Sequence, residues 1–265
     1  MGRQCFGMPA MLELPGFADC AEVCAQLGLD FVELNMNMPQ YQLDRLNPLE
    51  LRRQACEKRI GFTIHMEEEL NPFGFNTCVA NAYLETVLKT IGLAAEAGIP
   101  VLNMHMPEGV HFTLPDHKAY LFDIYRDHYL SRVRMFRDAC EERIGSEGII
   151  ICVENTGGYL PFQKEGVGEL LKSPVFGLTW DIGHDHSAGD ADAEFIRSHL
   201  GRLCHMHIHD ALGESNHLPL GMGEIDLVER LEVARQCGCR CLLEVKTLSA
   251  LKQSIEYLKR RKLWN

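Results

Sequence analysis

Short apolar runs alternate with longer stretches of helical period along most of this chain. The runs are rich in β-branched and other apolar residues, which is typical of buried strands. Between them, apolar residues recur every three or four positions, as on the buried face of an amphipathic helix. The pattern predicts eight strands, at residues 5–8, 31–34, 62–65, 101–105, 149–154, 177–181, 203–207 and 241–245.

The segments between the predicted strands carry residues that start and stop helices. Asn47 and Pro48 form an N-cap and a first helical position, and Glu50 lies in the first turn. Gly98 and Gly238 stand where two other helices are expected to end. The predicted helices cover residues 17–29, 47–60, 76–97, 116–143, 167–172, 191–200, 226–236 and 249–261.

Eight strand and helix units in regular alternation predict an α/β fold of the (β/α)₈ TIM barrel type. An open, doubly wound sheet is the main alternative. No linker divides the 265 residues, so we expect a single domain over residues 1–265. The long loop at residues 106–116 is predicted to shape part of the barrel mouth.

Four predicted strands carry a residue that can bind a metal at or near their carboxyl ends. Glu154 ends the fifth strand, Asp181 the sixth and His207 the seventh, and Glu244 lies near the end of the eighth. The carboxyl ends of barrel strands open on one face, so these side chains are expected to meet in one polar site. The same face is expected to collect further strand-end or loop residues, namely Glu33, His65, His105 and His184.

The types of ligand narrow the choice of metal. Several carboxylates with few imidazoles suit a divalent cation such as Mn²⁺, Zn²⁺, Mg²⁺ or Co²⁺, whereas a set richer in histidine favours Zn²⁺ or Fe²⁺. Mn²⁺ and Zn²⁺ fit this set best. Mg²⁺ and Co²⁺ stay open, because the sequence does not fix the coordination geometry.

Composition restricts the partners. The net charge is −11, with 26 basic and 37 acidic residues, and nucleic-acid binding depends on Lys and Arg that neutralise phosphates. We therefore expect no nucleic-acid partner. No apolar run reaches the roughly 20 residues that cross a bilayer, and residues 1–17 lack the apolar core of a signal peptide. A cytoplasmic protein without a membrane partner is expected, and a homo-oligomer is left open.

Carboxylates around a divalent metal suit the isomerisation or epimerisation of a carbohydrate. That reaction removes a weakly acidic C–H proton and forms an enediolate, which a metal on the adjacent oxygens stabilises as a Lewis acid. Two carboxylates can take and return the proton. Glu154 and Glu244 are the candidates for this catalytic pair, and Asp181 and His207 are expected to act mainly as metal ligands.

Three residues are candidates for substrate binding. His184 is expected to hydrogen-bond a substrate hydroxyl. Lys246 lies two positions after Glu244, on the same side of the strand, and could neutralise an anionic group, although a solvated lysine is the more ordinary interpretation. Glu33 could orient ligands or substrate at the mouth, or it could cap the following loop.

A series of motifs, taken in order, resembles one known family. The series comprises His65, His105, VEN at 153–155, WDIGH at 180–184, HIHDA at 207–211, HLPLGMGEID at 217–226 and LLEVK at 242–246. Together these motifs, which cover nearly the whole chain, are similar to the xylose-isomerase-like TIM barrel superfamily. That superfamily includes sugar phosphate isomerases and epimerases, and also endonuclease IV. The combination is specific, whereas each motif alone is weak.

The isomerase and epimerase branch implies a single divalent metal. The resemblance assigns its ligands to Glu154, Asp181, His207 and Glu244, with His184 beside the substrate. Epimerases of this branch also have an Arg shortly after the seventh-strand His, and residues 211–216 contain none. This departure argues against a direct transfer of their sugar specificity.

The endonuclease branch implies a trinuclear zinc site. That site adds residues matching His65 and His105, and an Asp-x-His pair that reads Ser-Asn-His here, at residues 215–217. The missing Asp argues against a complete third metal site. His65, His105 and Glu154 could still hold a second metal, and His217 is a further candidate ligand.

Three functions remain open at this stage. The leading one is a divalent-metal-dependent isomerase or epimerase acting on a sugar, a sugar phosphate or a related polyol through a metal-stabilised enediolate. The second is a phosphodiesterase of the endonuclease IV type, but the expected mouth loops at 66–76 and 211–223 carry no Lys or Arg. The third is an inactive barrel that binds a metabolite, against which the presence of both Glu154 and Glu244 argues.

Overall fold

The computed structural model describes residues 3–264 and shows a closed barrel of eight parallel strands. Neighbours along the chain pair in parallel, and the first and last strands pair to close the ring. All eight predicted strands are confirmed, with boundaries shifted by at most about two residues. The barrel strands are β1 (Cys5–Pro9), β2 (Phe31–Asn35), β3 (Gly61–His65), β4 (Val101–His105), β7 (Ile150–Glu154), β8 (Phe176–Asp181), β9 (Leu203–Ile208) and β12 (Arg240–Leu243).

Helices surround the barrel and connect its strands. The Asn47 side chain accepts the backbone N–H groups of Leu49 and Glu50, as the cap motif predicts. Gly98 and Gly238 end their helices with φ values of 74° and 69°, a left-handed conformation that favours glycine. The helices are α1 (Phe17–Leu27), α2 (Pro48–Lys58), α3 (Thr77–Ala97), α4 (Leu121–Ile124), α5 (Arg126–Ile144), α6 (Pro161–Leu170), α7 (Ile182–Ser187), α8 (Ala193–Arg197), α9 (Leu227–Cys237) and α10 (Leu248–Arg260).

Two antiparallel hairpins stand over the mouth of the barrel. The first joins β5 (His111–Thr113) to β6 (Lys118–Tyr120), and the second joins β10 (Asp210–Leu212) to β11 (Ser215–Leu218). The first hairpin corrects the helix predicted at residues 116–143. Because residues 118–120 pair with residues 111–113 instead of coiling, the helical part begins only at Leu121 and is interrupted at Tyr125.

The barrel has an apolar outer layer and a polar interior. Ile64, Leu102 and Leu178 belong to the apolar core that the strands share with the helices. Alternate residues of a strand point to opposite faces, so their neighbours point into the barrel. Thr63 and Thr179 are two such buried polar residues. This polar interior leads directly to the carboxyl ends of the strands. Within residues 3–264, no helix is both long and apolar enough to cross a membrane.

Candidate metal centre

Four side chains from four successive barrel strands converge at the mouth. They offer one ligand atom each, and these atoms all lie within 4.8 Å of one another. The structure thus brings together the four predicted ligands of the central metal from positions far apart in the chain. They are Glu154 at the end of β7, Asp181 at the end of β8, His207 in β9 and Glu244 directly after β12.

The imidazole of His207 lies at the middle of this set. Its Nδ1 is 3.0 Å from Oε1 of Glu154 and 3.1 Å from Oε2 of Glu244. The same nitrogen is 3.9 Å from Oδ2 of Asp181. Three carboxylates therefore face one ring nitrogen, an arrangement in which a cation can be shared by oxygen and nitrogen ligands.

Burial and charge act against each other at this centre. Burial alone would raise the pKa of the Glu154 and Glu244 carboxyls, but the His207 imidazole outweighs burial and lowers both pKa values. Burial alone would lower the pKa of His207, yet contact with Glu154 and Glu33 raises it well above its usual range. In the metal-free protein, the carboxyls are thus ionised and the imidazole holds a proton.

Several buried polar atoms at the centre lack a hydrogen-bond partner among residues 3–264. They include both ring nitrogens of His207 and Oε2 of Glu244. The short N–O distances around His207 do not have hydrogen-bond directions, and an unsatisfied buried polar group is costly. A divalent cation would satisfy Nδ1 of His207 and the facing oxygens together, so the residues present fit a metal.

Glu33 lies beneath the centre and is only 2% exposed. Its Oε2 accepts the hydroxyl of Thr63 at 2.8 Å and lies 3.0 Å from Nε2 of His205, while its Oε1 lies 2.9 Å from Nε2 of His207. Burial alone would raise the pKa of Glu33, but His207 and His205 hold it well below its usual range. Its contacts are with side chains of the barrel interior, and its role towards substrate stays a prediction.

Two residues that the sequence analysis did not select hold Glu154 in place. The amide of Asn103 donates to Oε2 of Glu154, and the hydroxyl of Thr179 donates to Oδ1 of Asn103 at 2.5 Å. Both residues are fully buried. The sequence did contain a signal for both residues, because each is a polar residue within an otherwise apolar strand. A buried polar side chain rarely lacks a hydrogen-bond partner.

His65 and His105 lie on the Glu154 side of the centre. Their Nε2 atoms are 3.2 Å and 3.6 Å from Oε2 of Glu154. Nδ1 of His65 is 2.7 Å from the carbonyl oxygen of Met66. The three side chains form a second group with ligand atoms within 4.8 Å of one another.

His184 and His217 lie on the Asp181 side, together with His209, which is not among the predicted site residues. Nδ1 of His184 is 3.0 Å from Oδ2 of Asp181, and Nδ1 of His217 is 3.9 Å from Oε1 of Glu244. Burial lowers the pKa of His217 to about 4, so its ring is neutral at pH 7. Burial opposes protonation of His184, but Asp181 outweighs it and raises its pKa.

Lys246 lies at the rim of the mouth. Its Nζ is 3.0 Å from Oε1 of Glu244, and 61% of its side chain is exposed. The lysine is therefore paired with one oxygen of a central carboxylate, while the other oxygen of Glu244 faces His207.

Comparison with known proteins places the chain in a family. Residues 21–261 match the model of the xylose isomerase-like TIM barrel. The chain belongs to this family. It is 26% identical over 268 residues to an uncharacterized protein of Methanocaldococcus jannaschii, covering 96% of this chain and 88% of that protein. It is also 25% identical over 234 residues to L-ribulose-5-phosphate 3-epimerase UlaE of Escherichia coli, covering 82% of this chain and 77% of the enzyme.

Solved structures of the family have the same barrel. A D-tagatose 3-epimerase-like protein superposes with a TM-score of 0.80 at 25% identity, covering 99% of this chain and 98% of that one. D-psicose 3-epimerase from Clostridium cellulolyticum H10 superposes with a TM-score of 0.75 at 15% identity, covering 99% and 100%. At 15% identity the likeness shows the fold alone.

In this family member, the hairpin after β9 carries the altered Asp-x-His pair, in which Ser215 replaces the Asp. Ser215 is exposed on β11, whereas His217 turns back towards Asp181 and His209. Asp210 accepts the backbone N–H groups of Gly221 at 2.8 Å and Ile225 at 3.2 Å. Asp210 thus anchors the loop that follows the hairpin.

Proposed function

We propose that this chain is a divalent-metal-dependent isomerase or epimerase acting on a sugar or a closely related polyol. The observation that carries the proposal is the position of Glu154 and Glu244, 3.0 Å and 3.1 Å from the same nitrogen of His207. Proton removal and return at carbon needs two such groups at one centre. The similarity to UlaE and to a D-tagatose 3-epimerase-like protein supports the same class of reaction.

The four central residues would hold the metal, and their oxygen-rich set with one imidazole suits Mn²⁺ or Zn²⁺. When bound, the metal would stabilise the negative charge that develops on the oxygens next to the reacting carbon. His184 has 22% of its side chain exposed at the mouth, where it can hydrogen-bond a substrate hydroxyl.

Glu154 and Glu244 would move the proton. Their lowered pKa values keep both as carboxylates at pH 7, the form that can accept a proton from carbon. One carboxylate takes the proton from the carbon next to the carbonyl group. The resulting enediolate is then reprotonated in one of two ways. Protonation of the former carbonyl carbon, with transfer of the hydroxyl proton between the two oxygens, isomerises the sugar. Protonation of the original carbon on its opposite face, by the second glutamate after it has taken up a proton from solvent, epimerises the sugar.

The charges of the mouth favour an uncharged sugar over its phosphate ester. In the described loops that follow the barrel strands, the basic residues are Arg45, Lys118 and Lys246, and every such loop except 155–160 carries Asp or Glu. Arg45 is 3.6 Å from Asp44, and Lys246 is paired with Glu244. The carboxylates of the mouth would repel a phosphate group, and few cationic side chains would offset that repulsion.

Glu154→Gln and Glu244→Gln test the proposal directly. Each is expected to lower epimerisation of D-tagatose, L-ribulose or another ketose of a panel, and deuterium uptake from solvent at the reacting carbon, by about 10²- to 10⁴-fold. Glu214→Gln makes the same change at an exposed residue of the β10–β11 turn and is expected to retain turnover. Full turnover in both central variants would rule out these roles.

A second candidate function is phosphodiester hydrolysis. The observation that favours it is the His65, His105 and Glu154 group, which could hold a second metal beside the first. Incubation of the zinc-loaded protein with a duplex that contains an abasic site tests this candidate. Strand cleavage, together with no epimerisation or deuterium exchange of any sugar tested, would favour phosphodiester hydrolysis over the isomerase proposal.

A further inference from the structure

Three imidazoles crowd around Asp181, on the opposite side of the centre from His65. The ring centroids of His209 and His217 are 4.2 Å apart, and that of His184 is 5.3 Å and 5.0 Å from those of His209 and His217. Their ligand atoms lie within 4.8 Å of one another, so by distance alone they could hold a cation. The hydrogen bonds of His209 indicate a different role.

The backbone fixes the tautomer of His209. The N–H of His217 donates to Nδ1 of His209 at 2.8 Å, whereas the carbonyl oxygen of Asp210 lies farther from the same nitrogen, at 3.4 Å. The shorter contact is the stronger hydrogen bond. A nitrogen that accepts this bond carries a lone pair, so the neutral ring has its proton on Nε2. That nitrogen faces Asp181, 3.0 Å from Oδ1 and 3.3 Å from Oδ2. His209 therefore presents a donor to Asp181, and a protonated nitrogen cannot ligate a metal.

The surroundings hold the ring in this orientation. His209 is fully buried, and a Cβ at Gly183 would lie 1.9 Å from its Cε1, so the ring needs a glycine there. His217 has a φ of 55°, a left-handed conformation that is uncommon for a residue other than glycine. This conformation supplies the N–H to His209 and costs backbone strain, which is typical of functional positions.

Donors contact both oxygens of Asp181, and each carboxylate oxygen has a second lone pair that a cation can use. Its Oδ1 accepts the backbone N–H groups of Gly183 at 3.0 Å and His184 at 2.8 Å, because Asp181 caps helix α7. Nε2 of His209 lies within 3.3 Å of both oxygens, and Nδ1 of His184 lies 3.0 Å from Oδ2. Oδ2 remains directed towards Nδ1 of His207 and the central carboxylates.

We infer that His209 is a positioning residue whose Nε2–H fixes the carboxylate of Asp181 as a ligand of the central metal. It does not, together with His184 and His217, hold a cation of its own. This inference rests on the proposed metal centre. Partners that orient a metal ligand commonly change metal affinity by about 10- to 100-fold when they are removed.

The tautomer can be measured in the wild-type protein. Long-range ¹H–¹⁵N NMR correlations of the imidazoles are expected to show His209 unprotonated at Nδ1 and protonated at Nε2, both without metal and after titration with Zn²⁺. Loss of the Nε2 proton as Zn²⁺ is added would mean that His209 is a ligand and would overturn the inference. The metal-free spectrum tests the hydrogen bond of His209 whether or not the protein binds a metal. Failure to bind any metal would refute the proposed function and would be seen separately, in the titration.

Two substitutions separate positioning from ligation. His209→Ala removes the donor and is expected to weaken Mn²⁺ or Zn²⁺ binding, measured by competition with a chelator, by about 10- to 100-fold without changing the stoichiometry. His209→Gln keeps an N–H donor near the position of Nε2 and is expected to restore affinity to within about threefold of wild type. His186→Ala removes a histidine of α7 that contacts Glu224 and not Asp181, and serves as the control.

Other results would overturn the inference about His209. One cation fewer per chain in His209→Ala, with unchanged affinity for the others, would show that the three histidines hold a cation. Equal losses in His209→Ala and His209→Gln, with both variants folded, would also contradict the donor role. If His209→Ala does not fold, His209→Gln and the wild-type spectrum decide between the two roles.

Discussion

Two groups of histidines flank the central metal site, and backbone contacts give them opposite properties. On the Glu154 side, Nδ1 of His65 lies 2.7 Å from the carbonyl oxygen of Met66. A carbonyl can only accept, so Nδ1 carries a proton, and the neutral ring offers the lone pair of Nε2 towards Glu154. On the Asp181 side, His209 accepts a backbone N–H at Nδ1 and offers a proton instead.

The difference shows that residue type and distance do not by themselves define a metal site. Both groups have ligand atoms within 4.8 Å of one another, and in both a histidine lies beside a central carboxylate, Glu154 or Asp181. The tautomer, which a single backbone atom sets, decides which group can ligate. A further cation is therefore expected beside His65 and His105 rather than beside His209.

Removal of all cations is expected to have the largest effect. Dialysis against a chelator should abolish epimerisation of the sugar and deuterium exchange at its reacting carbon. One equivalent of Mn²⁺ or Zn²⁺ per chain should restore both, because one ion fills the group of Glu154, Asp181, His207 and Glu244. Elemental analysis and exchange kinetics of the same samples measure this. Full activity in a protein shown to contain no metal would contradict the metal-dependent proposal.

Substitutions in the two histidine groups test which of the groups can hold a second cation. His65→Ala is expected to lower the affinity for any second equivalent of Zn²⁺ by at least about 10-fold, whereas His217→Ala should leave that affinity within about threefold of wild type. Titration of the metal-free variants with chelator-buffered Zn²⁺ measures both. A second ion lost from His217→Ala and retained in His65→Ala would reverse the assignment.

The pH dependence of metal binding provides a further test. Burial opposes protonation of His65, but Glu154 outweighs burial and raises its pKa from 6.5 to about 9. The proton stabilises the metal-free fold fully below pH 6.5, and this contribution is lost as pH rises through about 9. A cation must displace the same proton, so affinity on this side should rise with pH and level off above about 9.

Calorimetric titration in buffers of different ionisation enthalpy measures the protons released as the second ion binds. His65→Gln is expected to release about one proton fewer than wild type. Equal release by the two proteins would show that His65 does not take part.

Lys246→Ala is expected to have the smallest effect, because the residue lies outside both histidine groups. Loss of an exposed cation paired with Glu244 should change kcat/KM for an uncharged ketose by no more than about threefold. Wild-type kcat/KM should be at least about tenfold higher for L-ribulose than for L-ribulose 5-phosphate. A large loss in Lys246→Ala that is confined to the phosphate ester would show that the lysine binds phosphate.

Much of this architecture could be predicted from the pattern of residues. Short apolar runs between stretches of helical period located all eight barrel strands, and the carboxyl end of each strand is where a barrel assembles its site. This is why Glu154, Asp181 and Glu244 were predicted as neighbours although the chain separates them widely. The hairpin at residues 111–120 was not predicted, because its strands are only three residues long and are stabilised by pairing with each other.

The contacts that orient the central residues could not be read from the sequence. Asn103 and Thr179 lie in apolar strands, and their roles depend on which inward positions face each other after the barrel closes. Glu33 is at the end of β2, yet it reaches His207 of β9 across the interior of the barrel. Contacts across a closed barrel leave no periodic signal along the chain.

The sequence by itself determined the strands, their order and the residue types that each strand end carries, because these follow from local alternation and from the single face on which barrel strands end. Only the tertiary structure decided the state of those residues. His65 and His209 are the same residue type at similar distances from a carboxylate, but a carbonyl oxygen faces one ring and a backbone N–H faces the other. The backbone atom that faces Nδ1 sets the tautomer, and only the folded conformation decides whether that atom is a carbonyl oxygen or an N–H group. The tautomer in turn decides whether a histidine can bind metal or can only orient a ligand that does.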